Sequence, residues 1–312
     1  MSYFGSVRFF KNLILLGVVV SIVVPTGLAV HWGRQIDGLQ TELDAAAAAP
    51  RDSVISELSL LQSGETLPKS DQDPASHALP VDAPDYQALY PDFYAPEPLS
   101  ADRHSDKTMF LTFDDGPSDR TDEILDILEK QSVKATFFVI GRTDEVSLQR
   151  MRSIVNAGHS LGMHSYSHDY KTIYASVENF LADQYRLFTL IRDTTGVTPS
   201  VFRFPGGSIN AYNHGIYQEI LSEMLRRGFV PCDWNLSSGD ATGSATTPAK
   251  ICSNVLDGAK NVNRGFVLMH DAAPKATTVA ALNNMITGLR ELGFSFEPFT
   301  AEIKPVLFGY IE

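Results

Sequence analysis

From Thr108 onward the chain alternates short β-branched and aromatic runs with amphipathic stretches, and this alternation restricts the fold more than any other feature of the 312 residues. Runs at 109–113, 135–140, 160–164, 201–204, 229–234, 266–270 and 294–296 read as about seven strands. The stretches 122–131, 145–156, 177–194, 217–227, 248–259 and 277–292 read as helices between them. Six β-α units in series specify a parallel sheet with helical crossovers. Closing that sheet gives a distorted or incomplete (β/α) barrel; leaving it open gives a doubly wound α/β fold.

In either fold the working residues sit just past the C-terminal ends of the strands, where the βα loops of one face converge. Five strand ends carry ionisable or special residues there: Asp114-Asp115-Gly116-Pro117, His164-Ser165-Tyr166-Ser167-His168, Arg203-Phe204-Pro205-Gly206-Gly207, Asp233-Trp234 and Leu268-Met269-His270-Asp271. Taken singly, each has an ordinary explanation as a turn, a surface histidine or a solvated strand end. Together, two imidazoles at H-x3-H spacing and a carboxylate make an open three-ligand site of the kind that holds catalytic zinc. A second carboxylate and a separate histidine supply a base and an acid for hydrolysis.

The segments TFDDGP, HSYSH, RFPGG, DW and LMH, in this order across residues 108–300, resemble the five motifs of the polysaccharide deacetylases, the NodB-homology or carbohydrate esterase family four. The resemblance implies a distorted β/α barrel and one divalent metal ion, zinc in the first instance, in a site that hydrolyses the N-acetyl group of an N-acetylglucosamine-type polysaccharide, with peptidoglycan as the first candidate. It assigns Asp115, His164 and His168 to the metal, Asp114 to the general base and Arg203 to its partner. It makes His270 the general acid, oriented by Asp233, and Gly206 the backbone donor to the oxyanion, with Pro205, Trp234 and Leu268 lining the substrate pocket. Two departures stand out. Gly206 occupies a position where the family usually has an aromatic residue, and the fourth motif is reduced to Asp233-Trp234 behind Cys232. An O-acetyl polysaccharide esterase of the xylan type is the alternative chemistry. A non-catalytic glycan-binding wall module on the same fold is the alternative class, but no ligand, base or acid is lost.

The formal charge of −12 is concentrated in residues 33–105, which hold thirteen Asp/Glu against four Lys/Arg. No basic footprint of the kind that neutralises nucleic-acid phosphates is visible, so no nucleic-acid partner is expected. With scattered prolines and the Ala45 to Ala49 run, 33–105 reads as an acidic Pro/Ala-rich linker. Ahead of it, residues 13–30 run eighteen positions without a charge behind Arg8 and Lys11, which predicts a single-pass signal-anchor over 13–32 with residues 1–12 cytoplasmic. The competing reading is a cleaved signal with secretion; both export the catalytic domain, expected at 106–302 with a tail at 303–312. Cys232 and Cys252 allow one disulfide or two small apolar residues.

Overall fold

The computed structural model describes residues 83–96, 103, 106–241 and 246–309. Its strands are β1 (Thr108–Gly116), β2 (Thr136–Ile140), β3 (Ser160–Ser165), β4 (Val201–Phe202), β5 (Val230–Pro231), β6 (Leu236–Ser237), β7 (Arg264–His270) and β8 (Ser295–Phe296). Its α-helices are α1 (Thr121–Lys130), α2 (Glu145–Asn156), the single turn α3 (Tyr170–Ile173), α4 (Val177–Thr195), α5 (Tyr217–Arg226), α6 (Pro248–Ala259) and α7 (Ala276–Glu291). The expected strands and helices are therefore present, with the run at 229–234 reduced to β5 and a further strand, β6, following it.

All strand pairs are parallel, in the order β5-β4-β3-β2-β1-β7-β6. β1 pairs β7 from Thr108 to Asp114, while its other edge is shared by β8, against Thr108 and Met109, and by β2 from Thr112 onward. The two outermost strands, β5 and β6, are joined by only four residues, 232–235, a link that spans about 18 Å at most when fully extended. The sheet must therefore curl until its edges nearly meet, which makes it a distorted (β/α) barrel. β1 is buried at every position except half-buried Asp115, as expected of a strand with covered faces on both sides. Phe113 stacks on Phe137 at 5.1 Å, and Phe110 on Phe266 at 4.5 Å.

Local chemistry sets the helix ends. Asp144, Ser176 and Thr247 accept hydrogen bonds from Ser147, Asn179 and Lys250 at the starts of α2, α4 and α6. Gly196, at φ +74, ends α4.

Both ends of the domain extend past the expected boundaries. Residues 83–96, expected to be linker, fold onto the body: Phe93 is fully buried against Phe188 and Phe229. Buried Arg227 donates to the carbonyls of Leu89 (2.8 Å), Tyr90 (3.0 Å) and Phe93 (3.3 Å), and pairs with Glu223 at 2.6 Å. Proline content pointed to an unpacked segment, but Phe93 supplies the apolar area that orders it. At the other end, residues 303–309 are not a detached tail, since Ile303 is buried and Phe308 packs edge-on against Trp234 at 4.7 Å. Cys232 is buried and Cys252 half-buried, both as free thiols. The predicted signal-anchor at 13–32 lies outside the described residues; among the described residues no helix is long and apolar enough to cross a membrane.

Candidate active site

Residues Thr112 and Asp114 share one face of β1, and the register sets Asp114 beside His270 on β7 and Phe138 on β2. Strand alternation would send Asp115 to the opposite face. It does not, because β1 carries a bulge there: Asp114 pairs Phe138 and Gly116 pairs Val139, leaving Asp115 as the extra residue at φ +71. β3 repeats the device, since Met163 pairs Val139 and Ser165 pairs Ile140, which leaves His164 as the extra residue. His168 follows in a tight loop at φ +55. Gly116 is required behind the pair, because a Cβ there would lie 2.4 Å from Asp271 Oδ2.

These irregularities bring the three expected ligands together. Asp115 Oδ1 lies 3.2 Å from His168 Nε2 and 3.6 Å from His164 Nε2, and one donor atom from each residue falls within 4.8 Å of the others. His164 Nδ1 lies 2.8 Å from the Arg203 carbonyl, which can only accept, so Nδ1 carries the proton and Nε2 presents a lone pair. Burial and the neighbouring His164 lower the His168 pKa against the pull of Asp115 and Asp114, which favours a neutral imidazole. Asp115 Oδ1 is buried and accepts no hydrogen bond. Three convergent electron-pair donors, one of them an orphaned buried oxygen, fit a divalent cation.

The loop that carries both histidines is clamped from α4. Asp183 accepts from Ser165 Oγ (2.6 Å) and from the amides of Tyr166 (2.7 Å) and Ser167 (2.8 Å), while Ser165 Oγ accepts from the His168 amide at 2.8 Å. Gln184 Nε2 donates to the His164 carbonyl at 2.8 Å.

Arg203 is fully buried, lies over the Phe138 ring at 4.4 Å, and donates to Asp114 Oδ1 at 2.9 Å and Thr112 Oγ1 at 2.6 Å. Its remaining N–H groups reach the carbonyls of Cys232 (2.8 Å) and Asp233 (2.9 Å). Burial works against its charge, but Asp114 and the neighbouring acceptors outweigh it and raise the pKa. Burial pushes the Cys232 thiol up to about 12, and the protonated thiol accepts from Arg203 and donates to the Asp233 carbonyl at 3.2 Å.

The expected partnership of Asp233 with His270 is not what the structure shows. Asp233 turns to the other side and accepts from the Ser208 amide (2.9 Å), the Ser208 hydroxyl and the Phe308 amide (2.7 Å), so it ties the RFPGG loop to the C-terminal segment. The carboxylate on His270 is Asp240, whose Oδ1 lies 2.8 Å from Nδ1 and whose Oδ2 accepts from the His270 amide at 2.8 Å and Thr278 Oγ1 at 2.9 Å. Burial disfavours the imidazolium, but the Asp240 hydrogen bond and the charges of Asp114, Asp240 and Asp115 more than compensate and raise the His270 pKa. Asp240 sits in a Ser-Ser-Gly-Asp loop that reads as a turn, so only the fold brings it to His270. Asp271, adjacent to His270, accepts from Ser118 Oγ (2.7 Å) and Thr121 Oγ1 (2.6 Å) and shores up the DDGP turn.

Pro205 is buried, Trp234 half-buried and Leu268 8% exposed, while Gly206 is exposed with an amide that donates to no acceptor among the described residues. Phe308 and Tyr170 are not singled out in the sequence; Phe308 packs against Trp234, and Tyr170 lies edge-on to His168 at 5.3 Å. From Asp115 and His168 a groove of about 650 Å³ continues past Pro117, Arg142 and Val146.

Residues 101–224 match the family profile described as polysaccharide deacetylase. The chain is 32% identical over 200 residues to a peptidoglycan-N-acetylglucosamine deacetylase of Bacillus cereus, covering 63% of this chain and 70% of the relative. It is 34% identical over 196 residues to a bifunctional xylanase/deacetylase of Pseudobutyrivibrio xylanivorans, covering 61% of this chain and 29% of the relative. Among solved structures, the catalytic domain of the peptidoglycan N-acetylglucosamine deacetylase from Eubacterium rectale superposes with a TM-score of 0.63 at 35% identity, covering 67% of this chain and 96% of that one.

Proposed function

Because the chain belongs to the polysaccharide deacetylase family, we propose that it is a metal-dependent hydrolase that removes N-acetyl groups from N-acetylglucosamine units of a polysaccharide, with peptidoglycan as the substrate. The observation that carries the reading is the convergence of the Asp115, His164 and His168 donor atoms beside both Asp114 and His270.

A divalent cation held by Asp115, His164 and His168, zinc in the first instance, would supply Lewis acidity to the acyl oxygen and to the attacking water. The remaining steps belong to the chain. Asp114, fixed by Arg203, accepts the proton that water gives up as its oxygen adds to the acetyl carbon. The Gly206 N–H donates to the developing oxyanion. His270, held through Nδ1 by Asp240, delivers its proton from Nε2 to the sugar nitrogen as the C–N bond breaks, leaving a free amine and acetate. Pro205, Trp234 and Leu268 enclose the acetyl methyl.

The location proposed is the outer face of the cytoplasmic membrane, with the apolar run 13–32 as a single-pass anchor; a cleaved signal and secretion is the alternative. A second chemistry, O-deacetylation of a xylan-type polysaccharide, is favoured by the similarity to the xylanase/deacetylase of Pseudobutyrivibrio xylanivorans. The deciding experiment treats purified peptidoglycan and, separately, acetylated xylan with the protein. Released acetate is quantified and the products are sequenced by mass spectrometry. Deacetylated N-acetylglucosamine residues in the peptidoglycan digest are expected; acetate from xylan alone would overturn the amide reading.

A further inference from the structure

Tyr212 is 53% exposed, and among the described residues no other Phe, Tyr or Trp is exposed. An aromatic ring in water contributes little to folding, so its mounting is informative. The loop beneath it is heavily pinned. Asn210 Oδ1 accepts from the amides of Tyr212 (2.8 Å) and Asn213 (3.2 Å), and its Nδ2 donates to the carbonyls of Pro205 and Gly207, each at 3.1 Å. Fully buried Asn213 accepts from the Asn210 amide at 2.8 Å and donates to the Ser208 carbonyl at 3.1 Å. Ser208 is in turn held by Asp233.

The ring presented by this loop lies against the half-buried Tyr170 at 5.2 Å and 60°, and Tyr170 meets the metal ligand His168 at 5.3 Å and 85°. Tyr170 is fixed too: Asp169 starts its one-turn helix, and Gly206 leaves the room it fills, since a Cβ there would stand 2.8 Å from Tyr170 Cε1. The two rings thus form a continuous aromatic step leading from the ligand set to the surface, outside the groove that opens past Pro117 and Arg142.

We propose that Tyr212, backed by Tyr170, is a stacking subsite for a pyranose ring flanking the sugar that is deacetylated, so that the protein recognises a chain of β-linked hexosamines rather than a single residue. The inference rests on the glycan reading above. A pyranose offers a face of C–H groups to an aromatic ring, and a rigidly held ring binds it with little ordering cost. The acetyl-binding rim at Pro205 and the loop bearing Tyr212 share hydrogen bonds through Asn210, which couples the register of the neighbouring sugar to the reacting one.

The test titrates the full chain with N-acetylglucosamine and with its β-1,4-linked tetramer by calorimetry, in an Asp114→Asn background so that the sugar is not consumed. Adding Tyr212→Ala should weaken tetramer binding about tenfold while leaving monosaccharide affinity in place, and Tyr212→Trp should retain tetramer binding. Equal tetramer affinity with and without Tyr212→Ala would overturn the subsite. Equal weakening for monomer and tetramer would also overturn it, since the ring would then serve the acetyl site. Failure of the Asp114→Asn chain to bind the tetramer at all would sink both the subsite and the glycan reading beneath it.

Discussion

Asp240→Asn separates the two carboxylates that could serve His270. Asp240 is 8% exposed and holds His270 twice, through Nδ1 and through the amide, each at 2.8 Å. A hydrogen bond between a buried carboxylate and an imidazolium contributes about 1.5–3 kcal/mol, and each 1.36 kcal/mol is tenfold in rate. The substitution should therefore lower kcat/KM about 10- to 150-fold. It should also move the alkaline limb of the pH profile. The Asp240 hydrogen bond and charge hold the His270 pKa up against burial, so losing them lets the acid deprotonate at lower pH. Acetate release measured from the acid to the alkaline side gives both quantities, with circular dichroism on each variant to verify the fold. Asp233→Asn is the counterpart: it should lower the melting temperature, through lost bonds to Ser208 and Phe308, and leave the alkaline limb in place. A wild-type alkaline limb in Asp240→Asn, or a displaced one in Asp233→Asn, would refute this assignment.

His168→Ala should strip the purified protein of bound divalent metal, because two remaining protein ligands hold a catalytic ion poorly; metal content by mass spectrometry decides it. Asp114→Asn should keep the metal and lower kcat by roughly 10²- to 10⁴-fold, a loss that added zinc does not repair. Phe93→Ala should cost about 3–5 kcal/mol in urea unfolding, and a loss below about 1 kcal/mol would show that residues 83–96 are not docked as described. Burial lifts Asp271 to about 6 against the hydroxyls of Thr121 and Ser118. The folded state then binds the extra proton between pH 3.8 and about 6, so stability falls as pH rises through that window, by on the order of 3 kcal/mol. Asp271→Asn should flatten this slope when unfolding free energies are compared from pH 4 to pH 7.

Much of the barrel was legible because β-branched runs and 3.6-residue patterns alternate cleanly, and the helices at 145–156 and 248–259 fall where the sequence placed them. The strand ends therefore located Asp114, Asp115, His164, His168, Arg203 and His270 at one rim. What periodicity does not encode is a bulge. Nothing in Asp-Asp-Gly-Pro states that Asp115 takes φ +71, and strand alternation alone sends the two carboxylates apart. The same limit hid Asp240, which reaches His270 across a turn-rich loop thirty residues away in sequence. Asp183 was hidden by its position on α4, where it reads as one more polar residue of an amphipathic helix although it binds three groups of the histidine loop. Segments 83–96 and 303–309 read as linker and tail because short aromatic anchors such as Phe93 and Phe308 weigh little in composition.

The left-handed backbones of Asp115 and His168 disfavour the ligand loops by about 1–3 kcal/mol each, and they persist only because the surrounding structure leaves no alternative. Asp183, the Arg203 carbonyl and the barrel itself already impose that geometry. A divalent ion held by Asp115, His164 and His168 would therefore have no folding to drive, unlike the ion in small domains that are unfolded without it. Chelation should then yield a folded, silent protein that recovers on readdition of the ion, with circular dichroism unchanged throughout.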